Sequence, residues 1–78
     1  MAPREIYEAV HRQPFEPFRL VVTDGATYDV THPDLCIVGL RSTLILNPSQ
    51  EDPHLFDRPT RIDNLHIIRM EELAPVAS

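Results

Sequence analysis

The sequence has no lysine, only two glycines and a single cysteine, and each scarcity narrows what the protein can be. With only Gly25 and Gly39, the chain cannot form a glycine-rich phosphate-binding loop. One cysteine cannot make a disulfide within the chain, which fits a reducing compartment and favours a cytoplasmic location. No apolar run approaches the roughly 20 residues that a membrane helix needs. The start of the chain has no apolar signal core, so we expect neither a membrane nor a secretory segment.

The charge balance is acidic. Seven basic residues, all arginine, oppose twelve acidic ones and give a net charge of −5. An acidic domain with scattered arginines lacks the broad basic surface of a non-specific nucleic-acid binder. RNA is therefore disfavoured as a partner. Net charge does not describe where the charges lie, so the sequence is still compatible with a local cluster of arginines.

The length of 78 residues predicts one domain over 1–73, followed by a flexible tail over 74–78. A chain of this size buries only about 60–65% of the surface that its unfolded form exposes. Its core is thin, and its stability is expected to be on the order of 3–5 kcal/mol. Since no disulfide within the chain can stabilise it, we expect self-association into a homo-oligomer, which buries more surface. A different protein as partner is the other option.

The first elements are a helix and a hairpin. Pro3, followed by an apolar stripe of Ile6, Tyr7 and Val10, predicts a short helix over 4–12. Alternating apolar residues over 18–23 and 27–31 predict two strands, and Asp24-Gly25 between them is a strong turn signal. The stretch His32-Pro33-Asp34 then interrupts the sheet and predicts a single helical turn.

The middle of the chain is apolar on both faces. Segments 36–40 and 43–46 have strand length. A strand with apolar side chains on both faces needs a layer packed against each face, which we call its two covers. We expect one cover from the other side of the fold, and a second from the N-terminal helix or a neighbouring subunit. The stretch 47–60 reads as a long loop with three prolines, 61–64 as a short strand or turn, and 65–73 as the last strand.

The predicted fold class is mainly β (α+β): a short N-terminal helix followed by four or five antiparallel strands. A small closed or nearly closed barrel is favoured because closure removes exposed strand edges. A single strongly bent sheet with the helix across it is the alternative.

Two resemblances cover most of the chain. The stretch Gln13-Pro14-Phe15-Glu16-Pro17-Phe18-Arg19, with Asp24-Gly25, His32-Pro33-Asp34 and the closing His66-Ile67-Ile68-Arg69-Met70-Glu71, resembles a family of small uncharacterised bacterial proteins. That resemblance implies no activity.

The order of elements is also similar to the Sm-like, SH3-type small barrels, many of which form rings by pairing edge strands and bind RNA. The motifs depart from that fold. No glycine lies between Thr27 and Val38, and Arg69 is followed by Met70 where an Arg-Gly pair is usual. Of the Lys-His pair of bacterial Sm-like RNA chaperones, only His66 is present.

No residue pattern points to catalysis, a cofactor or a metal. His32, Asp34 and Cys36 alternate and would share one face of a regular strand, but the spacing is unspecific for zinc. The ordinary interpretation is that His32 caps a turn, Asp34 is solvated and Cys36 is a small core residue. Burial would raise the pKa of that thiol and leave it inert. We therefore expect a non-catalytic binding or assembly module, with an Sm-like RNA-binding protein as the alternative.

Arginines, histidines and aromatics supply the candidate contacts to a partner or to RNA. The candidates are Arg19, Tyr28, His32, Arg41, Phe56, Arg58, Arg61, His66 and Arg69. The competing and favoured interpretation is that each arginine lies on a polar strand face and pairs with nearby acids. Leu55-Phe56 is either an exposed anchor or a plug for the end of the barrel, and plugging is favoured.

Overall fold

The computed structural model describes residues 1–73, which contain one helix, six strands and two short 3-10 helices. In chain order they are α1 (Pro3–Val10), β1 (Phe18–Val22), β2 (Thr27–Val30), η1 (Pro33–Leu35), β3 (Cys36–Val38), β4 (Ser42–Ile45), β5 (Thr60–Asp63), η2 (Asn64–His66) and β6 (Ile67–Glu72). The α+β class and the short N-terminal helix are confirmed, while the predicted tail 74–78 lies outside the described residues. In that described part, no helix has the length and apolarity to cross a bilayer.

The strands form two three-stranded antiparallel sheets. The first has the order β2-β1-β6 and the second the order β3-β4-β5. The predicted count of four or five strands was too low, because 60–63 is a full strand beside β4. The closed barrel was wrong for residues 1–73, in which neither sheet closes on itself or on the other. Along the chain the change from one sheet to the other falls at the two 3-10 helices, η1 between β2 and β3 and η2 between β5 and β6.

The β1–β2 hairpin forms as predicted. Leu20 lies opposite Tyr28, and Phe18 opposite Val30, with the turn at Asp24-Gly25. Gly25 has a φ of 89°, a left-handed conformation that favours glycine. The Asp24 carboxylate accepts a hydrogen bond from the Ala26 N–H at 2.9 Å, so the turn sequence fixes the hairpin locally.

The helix begins at Pro3 and ends at Val10, two residues before the predicted end. Its buried stripe is Ile6, Ala9 and Val10, at helical spacing. Tyr7, which the sequence placed on that stripe, is 42% exposed and stacks on His11 with ring centroids 4.0 Å apart. The small side chain of Ala9 takes the place in the core that was assigned to Tyr7.

The core lies between the inner faces of the two sheets. It consists of Ile6, Ala9, Val10, Phe18, Leu20, Val22, Val30, Cys36, Ile45, Ile62 and Ile67. The helix contributes to this inner cluster, so it covers the inner side of the second sheet. The register places Ile37, Leu44 and Arg61 in one row on the opposite side. On that side Ile37 is 54% exposed, so residues 1–73 cover the outer face of the second sheet only in part.

The last strand contains an irregularity that the sequence did not predict. Residues 65 and 66 belong to η2, and the pairing of β6 with β1 shifts between Val21 and Val22. The shift accommodates Ile68 as an extra residue, so that Ile67 and Met70 both pack on the core. The predicted alternation of 65, 67 and 69 against 66, 68 and 70 was therefore wrong.

Candidate functional site

The structure brings three of the nine candidate contact residues together. Tyr28, Arg61 and His66 line one cleft of about 330 Å³, beside the β1–β2 turn and the start of η2. Tyr28 is half-buried against the core, while Arg61 and His66 are exposed. The Thr23 hydroxyl lies 3.3 Å from His66 Nδ1, and the Thr23 N–H donates to the His66 carbonyl at 2.9 Å. These contacts fix the position of the imidazole, while Arg61 forms no ion pair within residues 1–73.

Two carboxylates share this cleft with the guanidinium. Asp24 and Asp63 each use Oδ1 to accept a hydrogen bond from a backbone N–H two residues on, at 2.9 Å in both cases. Each carboxylate therefore closes a turn and keeps its second oxygen free. The cleft has mixed charge, which weakens its attraction for a polyanion such as RNA.

Arg19 and Arg69 lie on the outer face of the first sheet and are paired with acids. Arg19 donates two hydrogen bonds to Asp29 on the neighbouring strand, at 2.7 and 3.2 Å. This contact lowers the pKa of Asp29 and raises that of Arg19. Arg69 donates to Glu71 at 2.9 Å. For these two arginines the favoured sequence interpretation, a polar strand face with nearby acids, is confirmed.

His32 caps the first 3-10 helix. Its Nδ1 accepts a hydrogen bond from the Asp34 N–H at 3.1 Å and lies 3.6 Å from the Asp34 carboxylate. Cys36, two residues further on, is buried in the core instead of facing these groups. Across residues 1–73, no three His, Cys, Asp or Glu side chains are close enough together to hold a metal ion.

The long segment after β4 continues the β4–β5 hairpin as a narrow ribbon. The Asp57 N–H donates to the Asn47 carbonyl and the Ser49 N–H to the Leu55 carbonyl, both at 2.8 Å, around a bridge between Pro48 and Phe56. Leu55 is 61% exposed and Phe56 49%, and neither belongs to the core. The plug interpretation was therefore wrong, and the long loop is instead an ordered projection. Arg58 lies at its base, where its carbonyl accepts from Asn47 Nδ2.

A second cleft, of about 600 Å³, lies between the start of α1, the β3–β4 turn and η2. Leu40 and Leu65 line it and are 83% and 84% exposed, and Arg41 lies beside them. The sequence singled out Arg41 here but missed both leucines. An isolated leucine in a turn gives no periodic signal, so only the geometry reveals that they share one surface.

Asn64 holds that cleft in shape. The side chain is 3% exposed; its Nδ2 donates to the carbonyls of Gly39 and Leu40 at 3.0 and 3.4 Å, and its Oδ1 accepts from the Thr43 hydroxyl at 2.7 Å. Its backbone N–H donates to the Arg41 carbonyl at 2.9 Å. The β3–β4 turn and η2 are thus fastened to each other by one buried amide.

No family model, no curated protein and no solved structure matches this chain.

Proposed function

We propose that this protein is a cytoplasmic, non-catalytic binding and assembly module that associates with further copies of itself. One observation carries the proposal: most of the exposed large apolar side chains of residues 1–73 lie on the second sheet and the segments joined to it. Five of the seven, Ile37, Leu40, Leu55, Phe56 and Leu65, belong to the second sheet and its connections, and only Tyr7 and Ile68 lie elsewhere. Leu40 and Leu65 share one cleft, and Leu55 and Phe56 are neighbours in one turn; exposed apolar groups of this kind are typical of interaction surfaces.

The polar groups support a binding role over a catalytic one. Burial keeps the Cys36 thiol protonated, and His32 is engaged in capping η1. The carboxylates of Asp24 and Asp63 close turns. Each of these groups stabilises the fold of the monomer, whereas the side chains of Leu40, Leu55 and Leu65 lie outside its core.

The test is the mass in solution, measured by light scattering over a range of concentrations. We expect the wild-type protein to exceed the monomer mass of 8.9 kDa in the micromolar range. Leu40→Asp should shift the association to at least ~10-fold higher concentration, since a charge would replace an apolar contact that is lost to water on assembly. Ile68→Asp is the control, because Ile68 is also an exposed apolar residue but lies on the other sheet. A wild-type protein that stays monomeric at high micromolar concentration would contradict the proposal.

The alternative function is RNA binding of the Sm-like kind. Its specific support is the cleft of Tyr28, Arg61 and His66, which offers a ring for base stacking and a guanidinium that forms no ion pair within residues 1–73 and could bind a phosphate. The order of helix, Asp-Gly hairpin and later strands also resembles the Sm-like fold. Titration with single-stranded RNA at several salt concentrations tests it. Binding that weakens steeply with salt and is lost in Arg61→Ala would favour RNA, and no binding at low salt would remove it.

A further inference from the structure

The ribbon between β4 and β5 ends in an apolar projection, which we call the arm (residues 48–56). Its two large apolar side chains, Leu55 and Phe56, face solvent. Local hydrogen bonds order its turn: the Ser49 hydroxyl accepts from the Glu51 N–H at 3.1 Å, and the Asp52 carboxylate from the His54 N–H at 3.0 Å. These bonds favour the turn conformation before any contact is made, which reduces the entropy lost when the arm binds.

The Leu40–Leu65 cleft is the complementary feature. It is a concave surface of about 600 Å³ whose two leucines are the most exposed large apolar residues in residues 1–73. The buried amide of Asn64 fixes both of its walls. The cleft therefore offers preformed room for apolar side chains, which is typical of a binding site.

The arm and the cleft lie at opposite ends of the same two strands. Strand β4 runs from Ser42, next to the cleft, to Ile45, just before the arm, and β5 returns from the arm to Asp63 in the cleft. Four strand residues separate the two ends by about 13 Å, so the arm points away from the cleft of its own chain. A contact between arm and cleft requires two copies.

The acids of the arm can pair with an arginine of the cleft. The arm carries two acids, Glu51 and Asp52, and no arginine. The cleft presents Arg41, which forms no ion pair within the described part of the chain. The cleft also contains one carboxylate, Asp63, whose Oδ1 accepts a hydrogen bond from the Leu65 N–H, so the pairing is expected at Arg41 alone.

We propose that the arm of one copy inserts Leu55 and Phe56 into the Leu40–Leu65 cleft of the next copy. The inference rests on the proposed self-association and adds its geometry: the two surfaces in contact are different, so association proceeds head to tail. Contacts of this kind produce rings when the rotation between copies closes and open chains when it does not.

Complementation between two variants tests this geometry. The arm variant, Leu55→Asp with Phe56→Asp, keeps an intact cleft. The cleft variant, Leu40→Asp with Leu65→Asp, keeps an intact arm. All four side chains are exposed, so both variants should fold, which circular dichroism checks. Each variant alone should be monomeric, whereas an equimolar mixture should form a dimer of twice 8.9 kDa and nothing larger. Ile68→Asp should assemble as the wild type does.

The outcomes separate the geometry from the self-association itself. A wild-type protein that is monomeric overturns both. If the wild type assembles but the two variants still assemble alone, or if their mixture remains monomeric, the arm-to-cleft contact is wrong and the proposed function stands. Native mass spectrometry of an isotopically labelled mixture counts the copies of each variant in the dimer, and one of each is the expected result.

Discussion

Asn64→Ala is expected to lower the free energy of unfolding by about 3 kcal/mol, because a buried amide is lost together with the bonds it makes. The substitution leaves the hydroxyl of Thr43, which is fully buried, without its acceptor at 2.7 Å. It also removes the hydrogen bond from the Asn64 side chain in η2 to the Gly39 carbonyl. In a domain of this size the change removes much of a total stability on the order of 3–5 kcal/mol. Urea unfolding followed by circular dichroism measures it.

Asn47→Ala is the matched control. Asn47 also donates two side-chain hydrogen bonds, to the Arg58 carbonyl at 3.1 Å and the Thr60 hydroxyl at 3.2 Å, but it is exposed. Water can replace those bonds, so we expect a loss below about 1 kcal/mol. Equal losses in the two variants would show that burial of Asn64 contributes nothing, and would remove the argument that this residue fixes the cleft.

The local signals in the sequence predicted the elements well. Proline in the first turn and the apolar stripe located the helix, and Asp24-Gly25 located the first hairpin, because these signals act over a few residues. His32-Pro33-Asp34 correctly predicted the interruption at η1. Local signals suffice where the cause of the structure is also local.

The features that the sequence did not predict arise from contacts between distant segments. The irregularity at Ile68 depends on its partner strand β1, and the second sheet becomes three-stranded only when β5 pairs with β4. Prolines in 47–59 suggested a loop, yet the backbone bonds around Pro48 and Phe56 continue the hairpin. A proline at a position that donates no ladder bond is compatible with such a ribbon.

The candidate site also depends on contacts between distant segments. The sequence indicated arginines, histidines and aromatics by residue type alone, and of these the structure brings only Tyr28, Arg61 and His66 into one cleft. It missed Asn64, whose three side-chain partners precede it by 21 to 25 residues. It also missed the close approach at Gly39, where a Cβ atom would lie 2.6 Å from the Ser42 carbonyl oxygen. That approach explains a glycine in the turn that carries Leu40.

The two-sided apolar pattern over 36–46 is the link between sequence and proposed function. On the inner side, Cys36 and Ile45 are buried in the core. The outer row has only partial cover, with Leu44 half-buried and Ile37 exposed. Residues 1–73 therefore leave that side partly uncovered. The association with another copy that we propose would cover it.

The Cys36 thiol should react at least ~10-fold more slowly with a soluble disulfide reagent at pH 8 than an unhindered cysteine does, since only the thiolate attacks and the higher nucleophilicity of a high-pKa thiolate offsets only part of its scarcity. Burial raises the pKa of Cys36 to about 11. At pH 8 such a thiol is about 0.1% ionised, against about a quarter for a thiol of pKa about 8.5. Stopped-flow absorbance gives the rate, and the same protein in urea is the control. A native rate within ~5-fold of the unfolded one would contradict the buried, protonated thiol.

The same raised pKa predicts a direction for stability against pH. Between pH 8.5 and 11 the unfolded chain loses the Cys36 proton while the folded protein keeps it, so the unfolded state binds fewer protons and stability falls as pH rises. Cys36→Ala should remove this part of the slope, although it lowers stability at every pH by leaving space in the core. Urea midpoints at pH 7.5 and 10 for both proteins give the comparison. If the two proteins lose the same stability over that range, the thiol is not shielded in the folded state.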